Sequence, residues 1–245
     1  MNLSAYLALA AFALFAPTPA QKAPVLLELF TSLGCSSCPP ADKLLAEIDR
    51  QQPIQGARVI VLSEHVDYWD SPQWNDPFSS RSYTTRQQAY DERLHAEAYT
   101  PQAVVNGTKA VIGNDWSKVS QAIQGSLPAA GIAVHVTATR DGNKANFEVD
   151  AGPNASEKKA AVFLALAHDR TESHVGGGEN AGRDINQVAV VYTLKEIGKV
   201  EPGKTFNKTV SLPLAAKSSA GDTRVVAILS NSGTLQVLGA DETVF

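Results

Sequence analysis

The chain has 245 residues, 44% of them apolar and 19% charged, with a formal net charge of -4. That is ordinary globular composition, long enough for one large domain or two of usual size. The acidic balance, without any basic run, argues against a nucleic-acid partner.

Residues 1–20 read MNLSAYLALAAFALFAPTPA. The apolar run from Leu3 to Phe15 is shorter than the roughly 20 residues a bilayer span requires. Pro17, Pro19 and the small Ala20 follow it. The expectation is a secretory signal peptide over residues 1–20, and hence a periplasmic or secreted location with no membrane attachment after its removal. No later stretch is apolar enough to cross a membrane.

From Pro24 the pattern alternates between strand and helix. VLLELFT (Val25 to Thr31) has the form of a buried strand, and PPADKLLAEIDR places Leu44, Leu45 and Ile48 at helical spacing behind two prolines. RVIVLS (Arg58 to Ser63) is a second buried strand, and the segment from Asp67 to Ser80 is a loop rich in Pro, Trp, Asp and Ser. YTTRQQAYDERLHAEA is helical in composition. YTPQAVVNGTKAVIG then gives two strands turning at Asn106-Gly107, and Asp115 is placed to cap a last helix. Residues 24–126 therefore read as a βαβαββα unit.

GSLPAAG (Gly125 to Gly131) is a linker, and beyond it the periodicity changes. IAVHVTAT, ANFEVD, AAVFLALA, NQVAVVYTL, KTFNKTVSLPL, TRVVAIL and TLQVLGADETVF are strand candidates at regular spacing. They suggest an all-β, sandwich-like domain over residues 131–245.

The only two cysteines, Cys35 and Cys38, lie between the first strand and its helix. A sulfur at a helix start meets unpaired N–H groups and the positive end of the helix dipole, so the Cys35 thiol pKa is expected to be depressed. Cys38, one turn further, is expected to be the more sheltered of the two. An exposed nucleophile with a buried resolving thiol suits disulfide exchange. An inert staple is the plainer alternative, but a loop this short restrains the unfolded chain by only roughly 2 kcal/mol.

The stretches ELFTSLGCSSCPPAD, HVDYWD, DPFSS, YTPQAVVNG and GENAGR together resemble a family of secreted, largely bacterial thioredoxin-like proteins catalogued as a domain of unknown function. The resemblance implies a thioredoxin-like fold and export, and no assigned substrate. It gives Thr100-Pro101 the place of that fold's cis-proline, whose preceding residue presents its backbone to a substrate peptide. From the residues alone, a trans proline opening a strand is the plainer reading. The resemblance also gives Glu28 the place of a buried carboxylate that takes a proton from the resolving thiol. The alternatives for Glu28 are an exposed edge position or a pairing with Lys43.

His65 follows the second strand and should emerge on the sheet edge where Cys35 sits. It can relay a proton, lower the thiol pKa, or join both sulfurs around Cu(I) or Zn. Alternatively it is a structural side chain oriented by Asp67. His168, His174, Glu172 and Glu179 flank VGGGENAG, which reads as a flexible surface loop, with Asn180 and Arg183 in position to face the first unit.

The leading expectation is an exported thiol–disulfide oxidoreductase, without cofactor, acting on protein or small-molecule disulfides. Cys35 and Cys38 do the chemistry, Glu28 and His65 move protons, Thr100 and Pro101 bind substrate, and an unidentified redox partner resets the pair. The rivals are a copper-handling protein using Cys35, Cys38 and His65, and a non-catalytic binding module.

Overall fold

The computed structural model describes residues 22–127, 131–216, 219 and 221–245. The expected signal peptide at residues 1–20 lies outside these. Among the described residues no helix is long and apolar enough to cross a membrane.

The first part of the chain runs β1 (Ala23–Thr31), α1 (Pro39–Gln51), β2 (Ala57–His65), α2 (Arg81–Leu94), β3 (Gln102–Val105), β4 (Lys109–Ile112) and α3 (Trp116–Gly125), in the order read from the sequence. Seven strands follow: β5 (Val134–Asp141), β6 (Lys144–Ala151), β7 (Ala160–His174), β8 (Asp184–Val200), β9 (Phe206–Pro213), β10 (Thr223–Asn231) and β11 (Val237–Val244). The fold is mixed α/β, with a large sheet and few helices.

The seven later strands do not form a self-contained sandwich. Four of them extend the first sheet into one of eight strands, ordered β11-β10-β7-β8-β2-β1-β3-β4, and only β5, β6 and β9 form a second sheet. The join is a parallel bridge between Ser63 of β2 and Val190 of β8. The reason lies in the strands themselves. AAVFLALA and TRVVAIL are apolar at consecutive positions rather than alternate ones, which suits strands covered on both faces. Leu164, Leu166, Val225 and Ala227 pack against Phe147, Val149 and Leu212 of the small sheet. Their alternate neighbours Ala165, Ala167, Val226 and Ile228 join the core of the first unit, with Leu45 and Ile48 of α1.

Side-chain parity in β1 divides its polar residues between the two faces of the sheet. Thr31 donates to Asp42 of α1, whereas Glu28 accepts from Arg86 and Tyr90 of α2. Residues three apart on a strand face opposite ways, so α1 and α2 cover opposite faces of the central strands. The hairpin between β3 and β4 turns at Asn106 (φ 47°) and Gly107 (φ 63°), as Asn-Gly suggested. The Asn106 side chain also accepts from Leu26 N–H at 2.8 Å, tying the turn to β1.

Candidate redox site

Cys35 and Cys38 form a disulfide in the loop between β1 and α1, with their Cα atoms 5.5 Å apart. The expected contrast in exposure is absent: both cysteines are 0% exposed, while Ser36 and Ser37 between them face solvent. The expected helix geometry also differs. Cys38, not Cys35, is the residue at the α1 N-cap, and Pro39 and Pro40 occupy the first two helical positions. Proline has no N–H, so two of the donors that a helix start ordinarily offers are missing here. Cys38 N–H bonds to Cys35 O, and Ala41 and Asp42 N–H both bond to Cys38 O. Few backbone donors remain to hold a thiolate.

Hydroxyl groups take their place. Thr100 Oγ1 donates to Cys35 Sγ at 3.3 Å, and Ser37 Oγ lies 3.3 Å from the same sulfur. Trp69 Nε1–H donates to Thr100 Oγ1 at 2.8 Å. Indole, hydroxyl and sulfur thus form a chain in which each bond polarises the next. The Thr100-Pro101 peptide is cis, with Pro101 buried. Four of the six expected site residues, Cys35, Cys38, Thr100 and Pro101, therefore converge.

Glu28 does not join them. It is fully buried on the α2 face, where Arg86 Nε and Tyr90 OH each donate to it at 2.6 Å. A position one residue earlier or later would have turned it toward α1. Neither the expected edge position nor Lys43 is its environment. Glu64, also buried, lies 3.6 Å from Arg86 Nε. Burial and the adjacent Glu28 charge push the Glu64 carboxyl well above its ordinary range, only partly offset by Arg86.

The carboxylate that lies on the α1 side is Asp42, four residues after Cys38 and buried. Thr31 Oγ1 donates to its Oδ1 at 3.1 Å, while Oδ2 has no partner. Burial raises its pKa to about 6, against the lowering influence of the His65 charge and the Thr31 hydrogen bond. Nothing in the helical pattern flagged it beyond its place on the buried stripe of Ala41, Leu45 and Ile48.

His65 is buried at the end of β2, and its orienting partner is Asp76 rather than Asp67. Asp67 instead bonds Thr84 near the start of α2. Asp76 Oδ2 accepts from His65 Nδ1 (2.8 Å), Leu33 N–H (2.7 Å) and Ser32 Oγ (3.2 Å), and Oδ1 accepts from Phe78 N–H (3.0 Å). Burial alone would raise the Asp76 carboxyl, but the His65 and backbone donors outweigh it and hold it below the ordinary range. Since a carboxylate only accepts, His65 carries its proton on Nδ1. Its Nε2 is buried without a partner. His65 and Asp76 thus pin the segment leading into Cys35. His65 makes no hydrogen bond to either sulfur, and among the described residues no three His, Cys, Asp or Glu side chains are grouped to hold a metal ion.

The VGGGENAG loop is a built part of this site. It is the tip of the long β7–β8 hairpin, folded over the cysteine turn. Asn180, fully buried, donates to Leu33 O (3.0 Å) and Cys35 O (2.7 Å), and Glu179 accepts from Ser36. Gly177 permits the approach: a Cβ there would lie 2.5 Å from Trp74 Cβ. His174 pairs with Asp184 at the exposed hairpin flank, and His168 stacks against Tyr192 and Phe78, away from any shared ligand set.

A crystal structure of protein AGR_C_4864 from Agrobacterium tumefaciens is similar, with 28% identity, a TM-score of 0.71 and coverage of 92% of this chain and 96% of that one. HBP35 of Porphyromonas gingivalis shares the fold at 15% identity, with a TM-score of 0.65 over 93% of this chain and 77% of that one. No curated protein sequence matches. The family described as "Protein of unknown function (DUF1223)" matches residues 26–230, most of the chain and all of the site above, and the chain belongs to that family.

Proposed function

We propose that this protein is an exported thiol–disulfide oxidoreductase in which residues 24–126 form a thioredoxin-like unit, βαβαββα, with the β5–β6–β9 sheet and its partners forming a sandwich-like second unit. The observation that carries the reading is the Cys35–Cys38 disulfide set beside the cis Thr100-Pro101 peptide, with the Trp69–Thr100 chain ending on the Cys35 sulfur. A hydroxyl donor held on a sulfur stabilises that sulfur as a thiolate, which is the nucleophile and the better leaving group. An inert staple has no use for one.

In the reducing direction the Cys35 thiolate attacks a substrate disulfide, forming a mixed disulfide and releasing one substrate thiolate. Cys38 loses its proton and attacks Cys35 Sγ, releasing the second substrate thiolate and closing the protein disulfide. A separate dithiol protein returns the pair to its reduced state. Run backwards, the same steps oxidise a substrate dithiol. Asp42, with a raised pKa near neutrality and one bare oxygen, takes the proton-accepting role in place of Glu28. His65 acts through Asp76 as a positioning residue.

The test is trapping. Cys38→Ser is expected to accumulate a mixed disulfide on Cys35 with a disulfide substrate, read by mass spectrometry, and Cys35→Ser to accumulate none. Equal adducts on both variants would remove the assigned roles. Stoichiometric Cu(I) uptake lost on His65→Ala would favour the copper reading instead.

A further inference from the structure

The β7–β8 hairpin tip fixes a carboxylate at the solvent side of the disulfide. Glu179 Oε2 accepts from both Ser36 N–H (3.0 Å) and Ser36 Oγ (2.6 Å), one residue from Cys35. Glu179 N–H donates to Gly34 O at 3.2 Å, so its backbone is docked as well as its side chain. Gly178, at φ +72°, comes so near that a Cβ there would lie 3.1 Å from Gly34 Cα. The Ser36 hydrogen bonds favour the ionised carboxylate. Arg183, on the same tip, directs its guanidinium to Asn180 Oδ1 at 2.9 Å.

We propose that Glu179 determines the charge of the partners Cys35 accepts, favouring cationic or neutral thiols and disulfides over anionic ones. The inference rests on the exchange chemistry proposed above. When a thiolate opens the disulfide, its bond to Cys35 Sγ forms as the Cys35–Cys38 bond breaks, and the electron pair leaves on Cys38. The transition state spreads negative charge over three sulfurs. A fixed carboxylate beside it disfavours a partner that brings further negative charge and favours one that brings positive charge. The matching substrate class is a cysteine flanked by Lys or Arg.

Two small probes test this on the oxidised mature protein: cysteamine, which is cationic, and glutathione, which is anionic. The readout is the ratio of their rates of opening the disulfide, so a general loss of reactivity cancels. Glu179→Gln keeps a hydrogen-bond acceptor and removes the charge, and is expected to lower the cysteamine-to-glutathione ratio about three- to tenfold. In the unchanged protein the same ratio should fall toward that of a free peptide disulfide as salt approaches about 1 M, a measurement that needs no variant. A ratio unchanged within about twofold in Glu179→Gln and insensitive to salt overturns the assignment of Glu179 and leaves the exchange reading standing. Failure of both thiols to open the disulfide in the unchanged protein overturns both.

Discussion

Two clusters of buried charge flank the central strands, and they are neutralised in different ways. On the α2 face, Glu28 and Glu64 share Arg86, with Tyr90 OH completing the contacts of Glu28. A guanidinium does not lose its proton in a protein, so this cluster keeps a permanent cation against Glu28, beside a Glu64 carboxyl that burial and Glu28 push well above its ordinary range. On the α1 side, Asp42, His65 and Asp76 lie together, and among the described residues no buried lysine or arginine is bonded to them. Asp42 Oδ2, His65 Nε2 and both polar atoms of Gln187 are buried without partners. Here the balance of charge is set by protons. A cluster held by a permanent cation is suited to structure, and one without such a cation is better suited to chemistry. It is the second that adjoins the cysteines.

The largest effect should come from breaking the cluster that holds Arg86. Arg86→Leu strands Glu28 in the core and is expected to destabilise the protein by about 3–5 kcal/mol, measured by denaturant unfolding. The reactivity of the cysteine pair should change little in whatever protein remains folded. Asp76→Asn leaves Leu33 N–H, Phe78 N–H and His65 with a poorer acceptor and is expected to cost about 2–3 kcal/mol. Unlike Arg86→Leu, it should also slow exchange, because it frees the segment leading into Cys35. Equal effects of the two substitutions on exchange would erase the contrast between the clusters.

Asp42 sharpens the comparison because its sign is opposite. Its carboxyl holds a proton up to about pH 6 when folded and only to 3.8 at its ordinary value. Between those values the folded chain binds more protons than the unfolded one, so this group's contribution to stability falls as pH rises toward 6 and stays lower above it. Asp42→Asn is therefore expected to stabilise the protein by about 3 kcal/mol at pH 8 and by little at pH 4. It should at the same time slow resolution of the mixed disulfide. Stabilisation without loss of exchange would leave Asp42 as a burial defect only. The smallest change is Thr100→Val, which removes the hydroxyl on Cys35 Sγ at a cost of about 1 kcal/mol of thiolate stabilisation. Alkylation of the reduced protein should show the Cys35 thiol pKa rising by less than about one unit.

Much of the first unit is legible in the chain alone. Its strand–helix order and the Asn106-Gly107 hairpin come from local signals, whereas the place of Thr100 and Pro101 beside Cys35 and Cys38 came from the family resemblance. What escaped depended on long-range geometry. The acid inside β1 was visible, but which face it occupies is decided by one residue of parity, and Glu28 lies on the side of Arg86. Asp42 looked like an ordinary acid in the first turn of a helix, where carboxylates favour the dipole. Asp76 sat in a loop with no period to mark it. The glycine-rich tip read as a flexible loop with Asn180 placed to face the first unit, and composition alone does not reveal that Glu179, distant along the chain, closes with it onto the cysteine turn. The helix start misled in a simpler way, since Pro39 and Pro40 fit a first turn but remove its donors.

The most direct test is whether Cys35 and Cys38 form a redox couple, measured on the purified protein by equilibration with glutathione and by pH-dependent alkylation of Cys35. The expected result is a reversible two-electron couple with the Cys35 thiol pKa below the roughly 8.5 of a free cysteine. A pair that resists both reduction and reoxidation, or a Cys35 that titrates as an ordinary thiol, would contradict it.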